Sequence, residues 1–194
     1  MGGRRAGVRT GVTEAVPATD LHPLLRQRWS PRAFDPDHVL AAAEVDLLLE
    51  AARWAPSAGN SQPWAFVTAR RHERVHERLV DHLARSTASW APTASLLVLN
   101  VAHRWVDDSD LEYSEFALYD LGQAVAHLTI QAQAMGLASR QFRAFDKEAL
   151  EVELDVGRGW ELVSMTAVGR PLPVDESAVR RPRRRVDELR WPVS

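Results

Sequence analysis

The stretch Leu96-Leu97-Val98-Leu99-Asn100-Val101 is apolar at five of its six positions. A strand with one wet face alternates polar and apolar residues, whereas a nearly unbroken run is buried on both faces. Such a strand needs a packing layer above the sheet and another below it. The chain supplies both. Residues 38–54 are rich in Ala and Leu, with Leu40, Leu47, Leu48 and Ala51 building an apolar stripe and Pro56 enforcing its end. Residues 72–84 read as an amphipathic helix. A long helix over about 114–135 carries Phe116, Tyr119, Val125, Leu128 and Met135 at apolar positions, and Gly136 is its natural stop.

Shorter elements fill the gaps. Asp20-Leu21-His22-Pro23-Leu24-Leu25 reads as a capped helix start, with the helix ending near Gln27. Asp146 is expected to cap a short helix that runs to Leu154. Trp64–Thr68 and Glu161–Val168 read as further strands, the second closed by Gly169-Arg170-Pro171. Helices outnumber short strands, which implies an α+β domain with its sheet enclosed by helices. Residues 1–19, rich in Gly, Arg, Thr and Ala, have no sustained periodicity and read as a disordered or loosely packed arm. Residues 20–194 read as one domain.

Composition removes several classes of function. The chain has no cysteine, which excludes disulfides, thiolate nucleophiles, cysteine-ligated zinc and iron–sulfur clusters. A net charge of −2 gives no general attraction for nucleic acid or an anionic membrane. No apolar run approaches the roughly 20 residues that span a bilayer. Met-Gly-Gly-Arg-Arg-Ala has no apolar segment behind its charges, so it is no secretory signal, and Ala6 spoils a myristoylation match. A soluble, cytoplasmic protein is expected.

Three segments together make a candidate site for a phosphate-bearing ligand. Arg28-x-Ser30-x-Arg32 places two guanidiniums and a hydroxyl on one face of an extended segment. A guanidinium fork suits phosphate oxygens. Pro56-Ser57-Ala58-Gly59-Asn60-Ser61-Gln62-Pro63-Trp64 sets polar side chains in a rigid turn between apolar walls, as a planar heteroaromatic ligand requires. Its bland alternative is a well-made turn from helix to strand. The run Arg180-Arg181-Pro182-Arg183-Arg184-Arg185 is either a further phosphate grip or a solvated basic tail, and it lacks the interleaved aromatics of a nucleic-acid surface.

In order and spacing these segments resemble the nitroreductase-like, FMN-dependent oxidoreductases. The resemblance is carried by Arg28-Trp29-Ser30-Pro31-Arg32-Ala33-Phe34 and by Ala51-Ala52-Arg53-Trp54-Ala55-Pro56-Ser57-Ala58-Gly59-Asn60-Ser61-Gln62-Pro63-Trp64. It continues through Ala134-Met135-Gly136-Leu137-Ala138, Phe145-Asp146 and Val168-Gly169-Arg170-Pro171, covering about 20–191. It implies an α+β sandwich with a mostly antiparallel central sheet enclosed by helices, forming an intertwined homodimer with FMN at the interface. By the same resemblance Arg28 and Ser30 bind the FMN phosphate, Trp29 borders the flavin, and Arg32 lies near its pyrimidine edge. Pro56, Ser57, Ala58, Asn60 and Gln62 line the flavin from the partner subunit. Arg183, with Arg181 as second candidate, completes the grip. The implied activity passes hydride from NAD(P)H, as co-substrate, through FMN to a small organic acceptor such as a nitroaromatic or a quinone. The flavin itself carries that chemistry, so no catalytic side chain is named.

The chain departs from the family where a Pro and a Glu often flank the flavin. It has Gln141-Phe142-Arg143-Ala144 there, and Arg143 reverses the expected charge, which leaves donor and acceptor preference open. A flavin-binding protein without turnover, and a flavin-consuming or dehydrogenating relative, are the competing functions. His72-Glu73-Arg74-Val75-His76 matches the zinc-protease pattern H-E-x-x-H, but no third ligand is identifiable, and the shared face with Val75, Leu79 and Leu83 suits packing on a sheet. No metal site is expected.

Overall fold

The computed structural model describes residues 20–106, 110–174 and 182–193, so the expected arm at 1–19 lies outside the described residues. Four strands form one antiparallel sheet in the order β1-β2-β4-β3. They are β1 (Trp64–Arg70), β2 (Leu96–His103), β3 (Ala138–Phe142) and β4 (Trp160–Gly169). The apolar run falls in β2, between β1 and β4, and every residue from Leu96 to Ala102 is buried.

Strand alternation sends those side chains into two cores. Leu97, Leu99 and Val101 pack with Phe34, Trp90, Leu79 and Leu150, the last two belonging to helices α3 (Arg74–Asp81) and α6 (Lys147–Glu153). Leu96 and Val98 pack with Val45, Leu48 and Ala52 of α2 (Ala42–Arg53), and with Ala124, Leu128 and Ala132 of α5 (Ala117–Ala134). The sheet is thus enclosed on both faces, each buried Leu contributing about 1.5–3 kcal/mol of transfer free energy. A register shift between Asn100 and Val101 accommodates Val163 as an extra residue in β4. Leu162, Met165 and Ala167 therefore all reach one core despite their odd spacing.

Local signals set most boundaries. Asp146 accepts a hydrogen bond from the Ala149 amide at 3.1 Å and starts α6. Gly136, at φ +74°, ends α5: the Leu137 amide bonds to the Ala132 carbonyl at 2.9 Å and the Gly136 amide to Gln133 at 3.1 Å. α2 begins at Ala42 rather than 38, because Glu44 accepts the Ala41 amide at 2.8 Å and Leu40, buried before the cap, packs in the same core as Val45. α1 (Pro23–Gln27) is capped by His22, within the stretch read as a helix start.

The other differences are tertiary. The helix expected over 72–84 stops at Asp81, because His82 and Ala84 bond instead to Asp146 and Ala144 across a bridge pairing Leu83 with Phe145. A short α4 (Arg85–Ala88) follows. β3 has neither alternation nor a β-branched residue; the outer edge of β4 supplies its partners, from Ala138 opposite Gly169 to Phe142 opposite Met165. Leu47 is 46% exposed, and Phe116 and Tyr119 are exposed too, so the apolar stripes of α2 and α5 are wider than the core they cover.

Candidate functional site

The first candidate segment leaves α1 at Arg28 in extended backbone, ψ 127°. The Arg28 Nη1 donates to Ser30 Oγ at 3.3 Å, so two of the three side chains expected on one face meet. Arg28 and Trp29 are half-buried, whereas Ser30 and Arg32 are exposed. Pro31 is buried, and its carbonyl accepts from Arg140 Nη1 at 3.2 Å. Arg140, on β3, lies 4.3 Å over the Trp90 ring. Phe34 then pairs with Pro171, and the Asp35 amide donates to the Arg170 carbonyl at 2.8 Å. These bonds fasten the segment to β3 and to the chain leaving β4.

Arg183 completes this group. Burial, and after it repulsion from Arg183, lower the pKa of Arg28 below its ordinary value. Both effects act against the positive charge, and among the described residues no carboxylate opposes them. Arg28 bonded to Ser30, with Arg183 near enough to repel its charge, makes a cationic patch that an anion would neutralise. Arg181 lies outside the described residues.

The second segment, 56–62, joins α2 to β1 through a single 3₁₀ turn at Ala58–Asn60. Its backbone is unusual: Gly59, Asn60 and Gln62 have φ of +58°, +56° and +47°. Within the loop, Ser57 Oγ accepts the Gln62 amide at 3.0 Å, and the Asn60 amide donates to the Ser57 carbonyl at 3.0 Å. Pro56, Ala58, Asn60 and Gln62 are exposed and Ser57 is half-buried, while Pro63 is buried behind them. Ser61 Oγ is buried without a hydrogen-bond partner among the described residues. The loop therefore presents amide and hydroxyl groups from a rigid floor.

The single chain does not bring the two segments together. The loop runs directly into β1, one edge of the sheet, whereas Pro31 is bonded to β3, the other edge. Three strand spacings separate those edges, about 14 Å. Four further residues have positions that sequence reading did not single out. Asp120, 2% exposed, accepts the Ala58 amide on Oδ2 at 2.9 Å. Gln123 Nε2 donates to Asp120 Oδ1 at 3.4 Å and to the Pro56 carbonyl at 3.5 Å. Tyr113 Oη donates to the Ser61 carbonyl at 3.3 Å, and Arg140 holds Pro31. A trace of Asp120 was available in sequence: a carboxylate one helical turn from Ala124, on the face of α5 that meets the sheet.

The zinc-like motif does not assemble. His72, at φ +73°, precedes α3, so the two imidazoles are not one helical turn apart, and His76 is buried. Among the described residues no group of three or more His, Asp or Glu side chains is placed to hold a metal ion. No helix among them is long and apolar enough to cross a membrane.

The sequence model of the Nitroreductase family matches residues 25–105, the stretch containing both candidate segments. The oxygen-insensitive NAD(P)H nitroreductase of Salmonella typhimurium is 41% identical over 54 residues, 28% of this chain, which spans only 25% of that enzyme's length. Protein DrgA of Synechocystis is 28% identical over 177 residues, covering 78% of this chain and 84% of that protein. The crystal structure of an oxidoreductase containing FMN matches with a TM-score of 0.74 at 28% identity, over 91% of this chain and 86% of the other. The family match across both candidate segments, and a fold shared along nearly the whole chain with an FMN-containing oxidoreductase, make this chain similar to the Nitroreductase family.

Proposed function

We propose that the protein is a cytoplasmic FMN-dependent oxidoreductase, folded as one domain over 20–194 and working as a homodimer. The observation that carries the reading is the pair of guanidiniums of Arg28 and Arg183 beside the Ser30 hydroxyl, with no carboxylate among the described residues opposing the loss of Arg28's charge. That donor set fits the phosphate of FMN. Arg32, exposed in the same segment, offers positive charge to the pyrimidine edge of the ring system, and half-buried Trp29 borders it. Arg181 is the second candidate for the phosphate.

Pro56, Ser57, Ala58, Asn60 and Gln62 form the opposing wall, contributed by the second subunit. Two features support that assignment. The loop and the cationic segment are fastened to opposite edges of the sheet. An apolar groove lined by Leu25, Leu47, Ala51, Trp54 and Ile130 also lies open on the helical face, as a surface awaiting a second copy would.

Bound FMN supplies reversible two-electron chemistry, taking hydride from NAD(P)H and delivering it to a nitroaromatic, quinone or similar acceptor. The chain's own part is to grip the phosphate, hold the ring between rigid walls and set the local charge. Anaerobic spectroscopy of the purified protein tests the reading. A yellow protein bleached by NAD(P)H and recoloured by a quinone or nitroaromatic is expected. Colour that NAD(P)H does not bleach would favour a flavin binder without turnover.

A further inference from the structure

The Ser57–Gln62 loop is held in a shape that its sequence alone does not favour. Left-handed backbone suits Gly59 and is tolerated by Asn60, but it is unfavourable for Gln62. Such conformations persist where the surrounding structure over-determines them. Two groups outside the loop do so. Asp120, buried in the first turn of α5, bonds the Ala58 amide at 2.9 Å and is itself bonded by Gln123, whose amide also reaches Pro56. A carboxylate in a first helical turn usually serves its own helix; both oxygens of this one are bonded to Ala58 and Gln123 instead.

The second group is Tyr113, whose hydroxyl donates to the Ser61 carbonyl. Its ring stacks on His103 at 3.9 Å, and His103 stacks on Trp160 at 4.5 Å, which fixes the phenol against the end of the sheet. The His103 amide donates to the Pro63 carbonyl at 3.1 Å, so the same prop holds the far end of the loop.

We propose that Asp120 is a positioning residue that clamps the 57–62 backbone into its ligand-facing shape before any ligand binds, with Tyr113 as a second clamp. The proposal rests on the assignment of this loop to the flavin wall. A wall already in shape spares the ligand the work of ordering it, so releasing the clamp weakens binding without removing a ligand contact.

Hydrogen exchange on the FMN-free protein reads the clamp without flavin or turnover. Asp120→Ala is expected to speed exchange of the Ala58 amide at least about tenfold. In FMN titrations the same variant is expected to bind roughly tenfold more weakly, whereas Asp120→Asn, which keeps one acceptor for that amide, stays within about threefold of wild type. Tyr113→Phe keeps the ring stack and loses only the hydroxyl, with a weakening of about twofold to fivefold. Unchanged exchange of the Ala58 amide in Asp120→Ala overturns the clamp, and faster exchange with unchanged FMN affinity overturns its part in binding; either leaves the flavin assignment standing. Should Asp120→Ala not fold, unchanged affinity in Tyr113→Phe does the same. A wild-type protein that binds no FMN overturns both.

Discussion

Arg28 and Arg183 come from opposite ends of the described chain, yet Arg183 lies close enough for its charge to disfavour that of Arg28. Ser30 is hydrogen-bonded to Arg28, which is half-buried, whereas Arg183 is exposed. Like charges held together are a local instability in the empty protein and a source of affinity once an anion arrives.

Inorganic phosphate should therefore stabilise the FMN-free protein. At ten times its dissociation constant the gain is about 1.4 kcal/mol by linkage, read as a rise in unfolding temperature. Arg28→Ala should lose most of that gain, and phosphate should compete with FMN in titrations. Phosphate without effect on either would speak against an anion site at Arg28.

Arg140 connects the same segment to the sheet, lying over Trp90 and donating to Pro31. Replacing it by Met removes a cation–π contact and leaves a buried residue's carbonyl without this donor. The expected loss is about 1–3 kcal/mol in chemical denaturation, together with weaker FMN retention. Arg140→Lys should recover only part of it, since an ammonium lacks the planar fork that serves both contacts. Full recovery by Lys would show that charge alone matters there.

Gly169 ends β4 where the chain turns toward Pro171. A Cβ there would sit 3.0 Å from the Ser95 amide nitrogen and 3.1 Å from the Phe34 ring, closer than ordinary contact to backbone that cannot retreat. Gly169→Ala is expected to destabilise the protein by about 1–3 kcal/mol, with Phe34 displaced. Equal unfolding midpoints would contradict the packing described.

Stability should fall as the solution is acidified below about pH 6.5. His76 and His38 both have pKa values below their ordinary 6.5, in each case chiefly through burial, with Arg71 adding to His76 and Arg170 to His38. Below that pH the unfolded chain takes up protons before the folded one, so unfolding gains. The buried His76 Nε2 has no hydrogen-bond partner among the described residues. Unfolding curves from pH 8 to 5 should show the decline, and His76→Leu should flatten it. A steeper decline in that variant would reverse the assigned sign.

The sequence was most legible where local chemistry decides the outcome. The both-face burial of Leu96–Ala102, the stop at Gly136, the Asp146 cap and the Arg28–Ser30 convergence all follow from residues near one another in the chain. What was not legible is non-local. β3 exists because β4 offers an edge, and α3 stops where residues 144–146 take over its backbone bonds. The supports of the site follow the same rule: Asp120 meets Ala58, and Tyr113 meets Ser61, only once α5 and β2 are packed. Exposure of Leu47, Phe116 and Tyr119 shows the limit of periodicity, which finds apolar faces but not what covers them.

Titration of the FMN-free protein with FMN, wild type beside Arg28→Ala, tests the central claim most directly. The account predicts that the wild type binds FMN and that the variant binds it more weakly by about 1.5–3 kcal/mol, the range for hydrogen bonds to charged groups, or roughly 10- to 150-fold. Equal affinity in the two proteins, or no binding by either, would contradict it.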